Sequence, residues 1–469
     1  MNFVHKKLFN LNERILSVIV FSLLFSWVLS FPFEGQILYA LTDYYNITPH
    51  PMIFSDILGT FLGLFLGGFF IRNMRAAKRL ILFSTFICII ISVLFLFPPN
   101  QFWLPILILG SFLTGCCVSA WGFYFRSGTP KNERIKTAAD GLIYSNILMI
   151  FLNMVAIHIS PQLALKISIV ILAVSFLFSL KLPSYPKSSS SYSKQKNSVS
   201  IAKPFALLCL FIVVITINSG LMYQVQGPAF SHLEWLTSWY WAIPYIVALF
   251  IMRNLPRRIN RSYILYIAIA MIGFSFIFFM VLDLSVLSYF IVNTLMLGAC
   301  GVYDLFWWSI LGEMMDFNNN AAKILGIGLS ANVFGVLLGG LIGNVIASSN
   351  LPNLNSTMLA LGVVCITLAI LPPLHKRLTV LLKDHAYLTM LSEMPSKDQD
   401  KIMHDFITLG QLTDRESEIV GLLLQGKTYK MIAGELYVSE NTVRTHIKNI
   451  YSKYNVQSRA ELMGFLLKI

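Results

Sequence analysis

The sequence predicts an all-α fold: a twelve-helix transmembrane bundle made of two six-helix halves, followed by a small C-terminal domain of four helices. Three observations predict it. Of the 469 residues, 56% are hydrophobic and only 12% charged, against about 25% charged in soluble domains. The apolar residues gather in runs long enough to span a bilayer. The charge is also divided unevenly, since residues 1–374 hold 22 Lys+Arg and 11 Asp+Glu while residues 375–469 hold 13 and 11, so that only the tail has an ordinary soluble composition. This excludes a soluble enzyme of ordinary composition, a disordered chain and a disulfide scaffold.

A span needs roughly 20 apolar residues. Candidates lie at 15–33, 52–71, 80–97, 103–125, 141–159, 163–182, 204–223, 235–252, 263–282, 286–312, 322–347 and 354–374. The loops test the count. Every second one is basic: Lys6, Lys7 and Arg14; Arg72, Arg75, Lys78 and Arg79; Arg126, Lys131, Arg134 and Lys136; Lys181 to Lys203; Arg253 to Arg261; then Lys323. The six loops between them hold no Lys or Arg. Positive loops stay cytoplasmic, so both termini are expected in the cytoplasm, and adding or dropping a span would break the alternation. The first run follows a polar start and is long enough to span, so no cleavable leader is expected.

The expected division is residues 1–182 for the first half, 183–203 for a cytoplasmic linker, 204–374 for the second half, 375–411 for a second linker and 412–469 for the C-terminal domain. Within the spans, polar side chains are costly and mark candidate ligand positions: Asp56, Asn146, Asn218, Asp304 and Asn332. The competing reading for each is a hydrogen bond between helices, which a bundle of this size needs in any case. Trp235, Trp239, Tyr240 and Trp241, with Trp307 and Trp308, could line a cavity, form an interfacial belt or simply pack. Gly59, Gly63, Gly67 and Gly68, and likewise Gly335, Gly339, Gly340 and Gly343, recur at helical spacing and read as close-packing faces. The six cysteines sit in apolar runs and read as small buried hydrophobes. No catalytic set, metal spacing or phosphate loop is evident, so no catalytic residue, metal or cofactor is expected and the chain is not read as an enzyme.

Six plus six spans, a long central loop and a basic loop after the second span resemble the major facilitator superfamily. In that loop Gly67-Gly68-Phe69-Phe70-Ile71-Arg72-Asn73-Met74-Arg75-Ala76-Ala77-Lys78-Arg79 keeps the glycines and basic residues of the family pattern but lacks its Asp. Because that pattern serves gating in transporters, the departure bears on active transport.

The tail is the most informative stretch. Leu374, Leu378, Leu381, His385 and Leu388 continue a helix out of the last span, and Pro395 breaks it. Thr413 and Glu416 form a capping-box pair ahead of Ile419, Val420, Leu422 and Leu423. A short helix carries Ile432, Ala433 and Leu436, and Ser439 caps the next one. There Val443, Ile447, Ile450 and Tyr454 share an inward stripe, while Asn441, Arg444, Thr445 and Lys448 face out. A last helix begins near Ser458. Short helix, turn, then a longer helix exposing Arg, Thr and Lys is the geometry of a helix-turn-helix that reads the major groove.

At these residues the tail resembles the LuxR-type helix-turn-helix regulators: Leu412-Thr413-Asp414-Arg415-Glu416, Gly426-Lys427-Thr428, Ile432-Ala433, Val438-Ser439-Glu440-Asn441-Thr442-Val443-Arg444-Thr445-His446, then Ile450, Lys453, Val456, Ser458-Arg459 and Glu461-Leu462. Met431 stands where that family usually has Glu, and Arg444 where Lys is commoner. The resemblance implies double-stranded DNA as a partner. It places Arg444, Thr445 and Lys448 at base edges, Thr428, Lys430, Ser439 and Thr442 at phosphates, and Leu462 and Leu466 at a homodimer contact, with RNA polymerase as a further partner. Arg is well suited to bidentate contact with guanine.

No receiver domain precedes the tail, so the bundle itself is the expected input. The leading expectation is a one-component transcriptional regulator of the bacterial cytoplasmic membrane, whose bundle senses an unidentified small-molecule ligand or a signal from the lipid bilayer around it. The alternative is a secondary transporter with a regulatory DNA-binding tail; a third reading has proteolysis release the tail. The topology is checked with reporter fusions. One placed after Leu354 should report the far side or the membrane, one after Lys383 the cytoplasm, and the reverse pattern would overturn the assignment.

Overall fold

The computed structural model describes residues 12–33, 35–185, 201–255, 261–318, 320–349, 351–393, 404–424, 427, 429–457 and 459–466. Among them, twelve helices are long and apolar enough to cross a membrane, at the places the hydropathy predicts. The chain divides into two compact units, Met1–Lys187 with Leu207–Leu371 and Ser188–Ala206 with Pro372–Ile469.

In the first unit, α1 (Glu13–Ser30), the short α2 (Gln36–Tyr44), α3 (His50–Phe70), α4 (Met74–Leu94), α5 (Trp103–Gly128), α6 (Arg134–His158) and α7 (Pro161–Leu180) build the first half. The second half comprises α8 (Ala202–Leu221), α9 (Glu234–Tyr240), α10 (Ile243–Arg253), α11 (Arg261–Val281), α12 (Val286–Met314), α13 (Ala321–Ala347) and the start of α14 (Pro352–Glu393), whose residues from Pro372 on belong to the second unit. Two spans depart from simple rods. The seventh passes beyond 223 through a π-helical turn at Met222–Gln226, a distortion that often marks functional sites. The eighth is split into α9 and α10 ahead of Pro244, whose ring removes a backbone donor and resists a continuous helix.

The glycine rows act as expected. A Cβ on Gly63 would lie 2.1 Å from the Phe112 carbonyl oxygen, and one on Gly339 would lie 2.1 Å from that of Ile217. α3 therefore seats directly on α5, and α13 on α8, at a separation that no other residue allows. Outward faces carry large apolar side chains such as Phe70, Val170, Leu287 and Val345. The cysteines are a partial correction. Cys88, Cys116, Cys117 and Cys300 are buried, but Cys209 is half-buried and Cys365 exposed. In a bilayer the outer surface is as apolar as the interior, so an apolar context does not tell which way a small side chain points.

The second unit contains α15 (Asp414–Leu424), α16 (Tyr429–Glu435), α17 (Glu440–Lys453) and α18 (Arg459–Leu466). Its core joins Ile419, Val420, Leu423, Ile432, Val443, Ile447, Ile450, Tyr454 and Leu462, and it includes Phe406 from the stretch expected to be linker. The Phe406 ring stacks on Tyr454 at 4.2 Å, and the Tyr454 hydroxyl donates to the Phe406 carbonyl at 2.5 Å. Burial pushes that hydroxyl up to about 12. Gly410 is required beside it, since a Cβ there would lie 2.2 Å from the Tyr454 ring.

The capping box forms as read. The Glu416 amide donates to Thr413 Oγ1 at 3.3 Å, and the Thr413 amide to Glu416 Oε2 at 2.9 Å. Lys453 at the end of α17 also reaches Glu416 Oε2, at 2.6 Å. Burial alone would raise the Glu416 carboxyl, but the bonds from Lys453 and Thr413 outweigh it and hold it below the usual range. A depressed folded pKa contributes stability that is full above the ordinary glutamate value and lost as pH falls through the folded one. Thermal denaturation of a 404–469 fragment from about pH 7 to about pH 3 should therefore show an acid limb that Glu416→Gln flattens. An unchanged limb in the variant would contradict this.

Candidate functional site

Two sites emerge, one in each unit. The first is a cavity of about 510 Å³ between the halves of the bundle, within the usual range for small-molecule sites of about 300–1,000 Å³. Asn146 and Asn153 from α6, Trp241 and Tyr245 around the start of α10, Tyr303, Asp304 and Trp308 from α12, and Asn332 from α13 all line it. The Tyr245 hydroxyl donates to Asp304 Oδ2 at 2.8 Å. Tyr303 is held by Ser219 at 3.1 Å and by Cys300 at 2.6 Å. The π-helical turn contributes Met222 and Tyr223 to the wall, and the Tyr223 ring lies 5.7 Å from that of Trp241.

Of the five polar positions singled out in the spans, Asn146, Asp304 and Asn332 meet at this cavity. The other two do not. Asp56 is buried between α3 and α5, where Ser111 donates to its carboxylate. Asn218 is buried off the cavity, with neither amide atom hydrogen-bonded among the described residues. Trp241 and Trp308 line the wall, whereas Trp235 is exposed. Tyr245, Tyr289 and Tyr303 also line it, and sequence reasoning passed over them. Tyrosines at helical spacing look like packing, and nothing in the sequence sets Tyr245 opposite Asp304.

The cavity runs toward the Lys/Arg-free loops: Phe33, Gln36 and Tyr39 line it on one side, Ser231 and Glu234 on the other. At the opposite end the halves are tied together. Asp140 accepts from Arg14 at 2.7 Å and, across the bundle, from Arg253 at 2.6 Å. Arg134 forks onto Asp316 at 2.8 and 2.9 Å, with both side chains buried. Arg126 donates to the carbonyls of Asn318 at 2.7 Å and Met315 at 3.2 Å. Asn320 donates to the Gly68 carbonyl at 2.9 Å, in the last turn of α3, and Lys323 lies over the Phe69 ring at 5.0 Å. Arginines read as topology markers thus also hold the halves closed. Their acidic partners, Asp140 and Asp316, went unnoticed; a carboxylate at the basic end of a span was the available signal.

The second site is the outer face of α17. Ser439 caps the helix, accepting from the Thr442 amide at 3.0 Å, and both side chains stand in solvent. Arg444, Thr445 and Lys448 are all exposed on one face. Arg444 rests on Glu440 at 2.6 Å and over the Tyr429 ring at 5.5 Å. Exposed pairs of this kind are worth only about 0.3–0.5 kcal/mol, so the guanidinium can leave for another partner at little cost. Thr428 and the side chain of Lys430, expected at phosphates, lie outside the described residues, as do Gly426, Ser458 and the side chain of Leu466. Leu462 needs correction as a dimer residue. It is buried in the tail's own core, so its side chain serves folding and does not stand free on a surface.

Residues 410–466 match the family described as bacterial regulatory proteins, luxR family. Over 58 residues the chain is 48% identical to the spore germination protein GerE of Bacillus subtilis (strain 168), which takes in 12% of this chain and 78% of GerE. It is 44% identical over 72 residues to the uncharacterized response regulatory protein YgeK of Escherichia coli (strain K12), covering 15% of this chain and 49% of YgeK. With the transcriptional regulatory protein LiaR of B. subtilis it shares 39% over 72 residues, 15% of this chain and 32% of LiaR. The chain therefore spans under half the length of the last two. In structure it is similar to the human organic anion transporter TETRAN (TM-score 0.57, 12% identity, 76% of this chain and 98% of that one). It is also similar to the major facilitator transporter FucP in its outward conformation (0.54, 13%, 76% and 98%). Through its C-terminal residues the chain belongs to the luxR family of bacterial regulatory proteins, and those residues are joined to a twelve-helix membrane bundle with the major facilitator fold.

Proposed function

We propose that the chain is a one-component transcriptional regulator of the bacterial inner membrane. In this reading both termini are cytoplasmic, the cavity takes a small molecule from the far side, and the tail binds promoter DNA. The observation that carries it is the exposed Arg444, Thr445 and Lys448 face on a luxR-type helix, in the same chain as a bundle whose halves enclose a cavity. Residues 1–182 and 204–374 act as the two moving bodies. The ties at Asp140 and Asp316 hold one arrangement, and a ligand shifts the balance only if it favours one arrangement over the other. The strict alternation of basic loops supports the orientation.

In the tail, Arg444, Thr445 and Lys448 read bases, while Thr428, Lys430, Ser439 and Thr442 hold phosphates. Since the tail's net charge is only +2 from its 13 basic and 11 acidic residues, affinity depends on where the charges sit and on a second copy bound alongside. That homodimer forms through the last helix by residues other than Leu462, with Leu466 the remaining candidate. RNA polymerase is the expected downstream contact.

A transporter with a regulatory tail is the second reading, favoured by a cavity that extends toward one end of the bundle while the other is tied shut. It requires ligand flux across vesicles, where a sensor binds without flux. The regulator reading is tested by Arg444→Ala and Lys448→Ala in the full chain. Each should cost about 1–3 kcal/mol of DNA binding, roughly a five- to 150-fold loss of affinity, read as lower promoter occupancy at unchanged membrane abundance. Undiminished occupancy would remove α17 from the groove.

A further inference from the structure

We propose that the molecule the bundle binds is a small organic cation, an amine with an aromatic or alkyl body, its ammonium group held at Asp304. The proposal rests on the reading of the cavity as a ligand site and adds the chemistry of what enters it.

Charge comes first. Among the described residues no Lys, Arg or His lines the cavity, whereas Asp304 lies in its depth and Glu234 near its mouth. Asp43 lines a second hollow that shares Gln36, Tyr39 and Glu234 with the first. No described cation pairs with Asp304; the hydrogen bond it receives comes from the neutral Tyr245 hydroxyl. The loops at this end carry no Lys or Arg. Acidic groups flanked by low-dielectric walls concentrate field lines and draw cations inward. An anion would meet carboxylates along this route and find no basic side chain on the described wall.

Hydrogen bonding is consistent with this. The one described bond to the Asp304 carboxylate comes from Tyr245, which leaves acceptor capacity at the cavity wall, and an ammonium brings donors and no acceptor. The Asn146 amide nitrogen, by contrast, is already engaged by the Leu142 carbonyl at 2.8 Å.

The remaining wall supplies ring faces. Trp241, Tyr223, Trp308 and Tyr303 lie among the lining residues, and a cation within about 6 Å of such a face is attracted by the ring's negative centre. The same rings give an apolar body something to pack against.

The test uses the full chain in lipid nanodiscs, with tryptophan fluorescence and thermal shift as readouts. Three probes share a phenethyl body and carry a cationic, a neutral and an anionic head group: phenethylamine, 2-phenylethanol and 3-phenylpropanoate. Tetrapropylammonium is added to separate charge from N–H donation. The amine should bind most tightly, and Asp304→Asn should weaken it by roughly ten- to a hundredfold, with Asp304→Glu restoring most of the loss. The proposal is overturned if the alcohol or the carboxylate binds as well as the amine, if Asp304→Asn folds and binds the amine unchanged, or if no cation binds. Binding is read without DNA, so the two readings fail separately. Amine binding with no effect on promoter occupancy would sink the regulator and leave the ligand class, while occupancy controlled by a neutral or anionic ligand would do the opposite.

Discussion

The bundle turns on two carboxylates, Asp140 and Asp316, each buried at one end and each gripped by arginine. Asp140 is shared between Arg14 of its own half and Arg253 of the other, and Asp316 takes the fork of Arg134 across the same boundary. Taking such charges out of water costs several kcal/mol apiece, and removing one partner leaves the other stranded at about 3–5 kcal/mol. A pair of this kind adds little net stability but enforces one arrangement sharply. Its consequence here is geometric. The halves meet at the end where the basic loops lie, and the cavity holding Asp304 is drawn out toward the other.

The tail uses charge in the contrary way. Arg444 and Lys448 stand in solvent, where ion pairs are weak and exchangeable. Its fold is held by burial instead, with Phe406 stacked on Tyr454 and the Lys453–Glu416 contact closing the capping box. One chain thus carries a buried arginine that locks, Arg134, and an exposed one whose contacts stay exchangeable, Arg444.

Much of this was legible from the residues. Spans are dictated by the thickness of hydrocarbon and the side of each basic loop, both local properties, and all twelve appear where expected. The helix-turn-helix was legible because its caps and its Val443–Ile447–Ile450 stripe are set by spacing along one helix. What escaped depends on partners far apart in sequence. Asp56 and Asp304 look alike as carboxylates within spans, yet one is engaged by Ser111 inside a half and the other faces the cavity beside Tyr245. Arg134 looked like a topology marker because its partner Asp316 lies 182 positions away. Leu462 was set at a dimer contact by the family resemblance alone, which does not say whether the residue's own domain covers its side chain.

The central claim is that the arrangement of the halves governs what the tail does on DNA. It is tested most directly by crosslinked DNA capture from cells carrying the full chain, with bound promoters sequenced and membrane abundance matched. Three chains are compared: the parent, Arg134→Asp, and Arg134→Asp combined with Asp316→Arg. Coupling predicts that the single substitution shifts promoter occupancy and that the reversed pair brings it back toward the parent. Equal occupancy in all three, at equal abundance, would mean that the tail does not respond to this contact between the halves, and the account would fail.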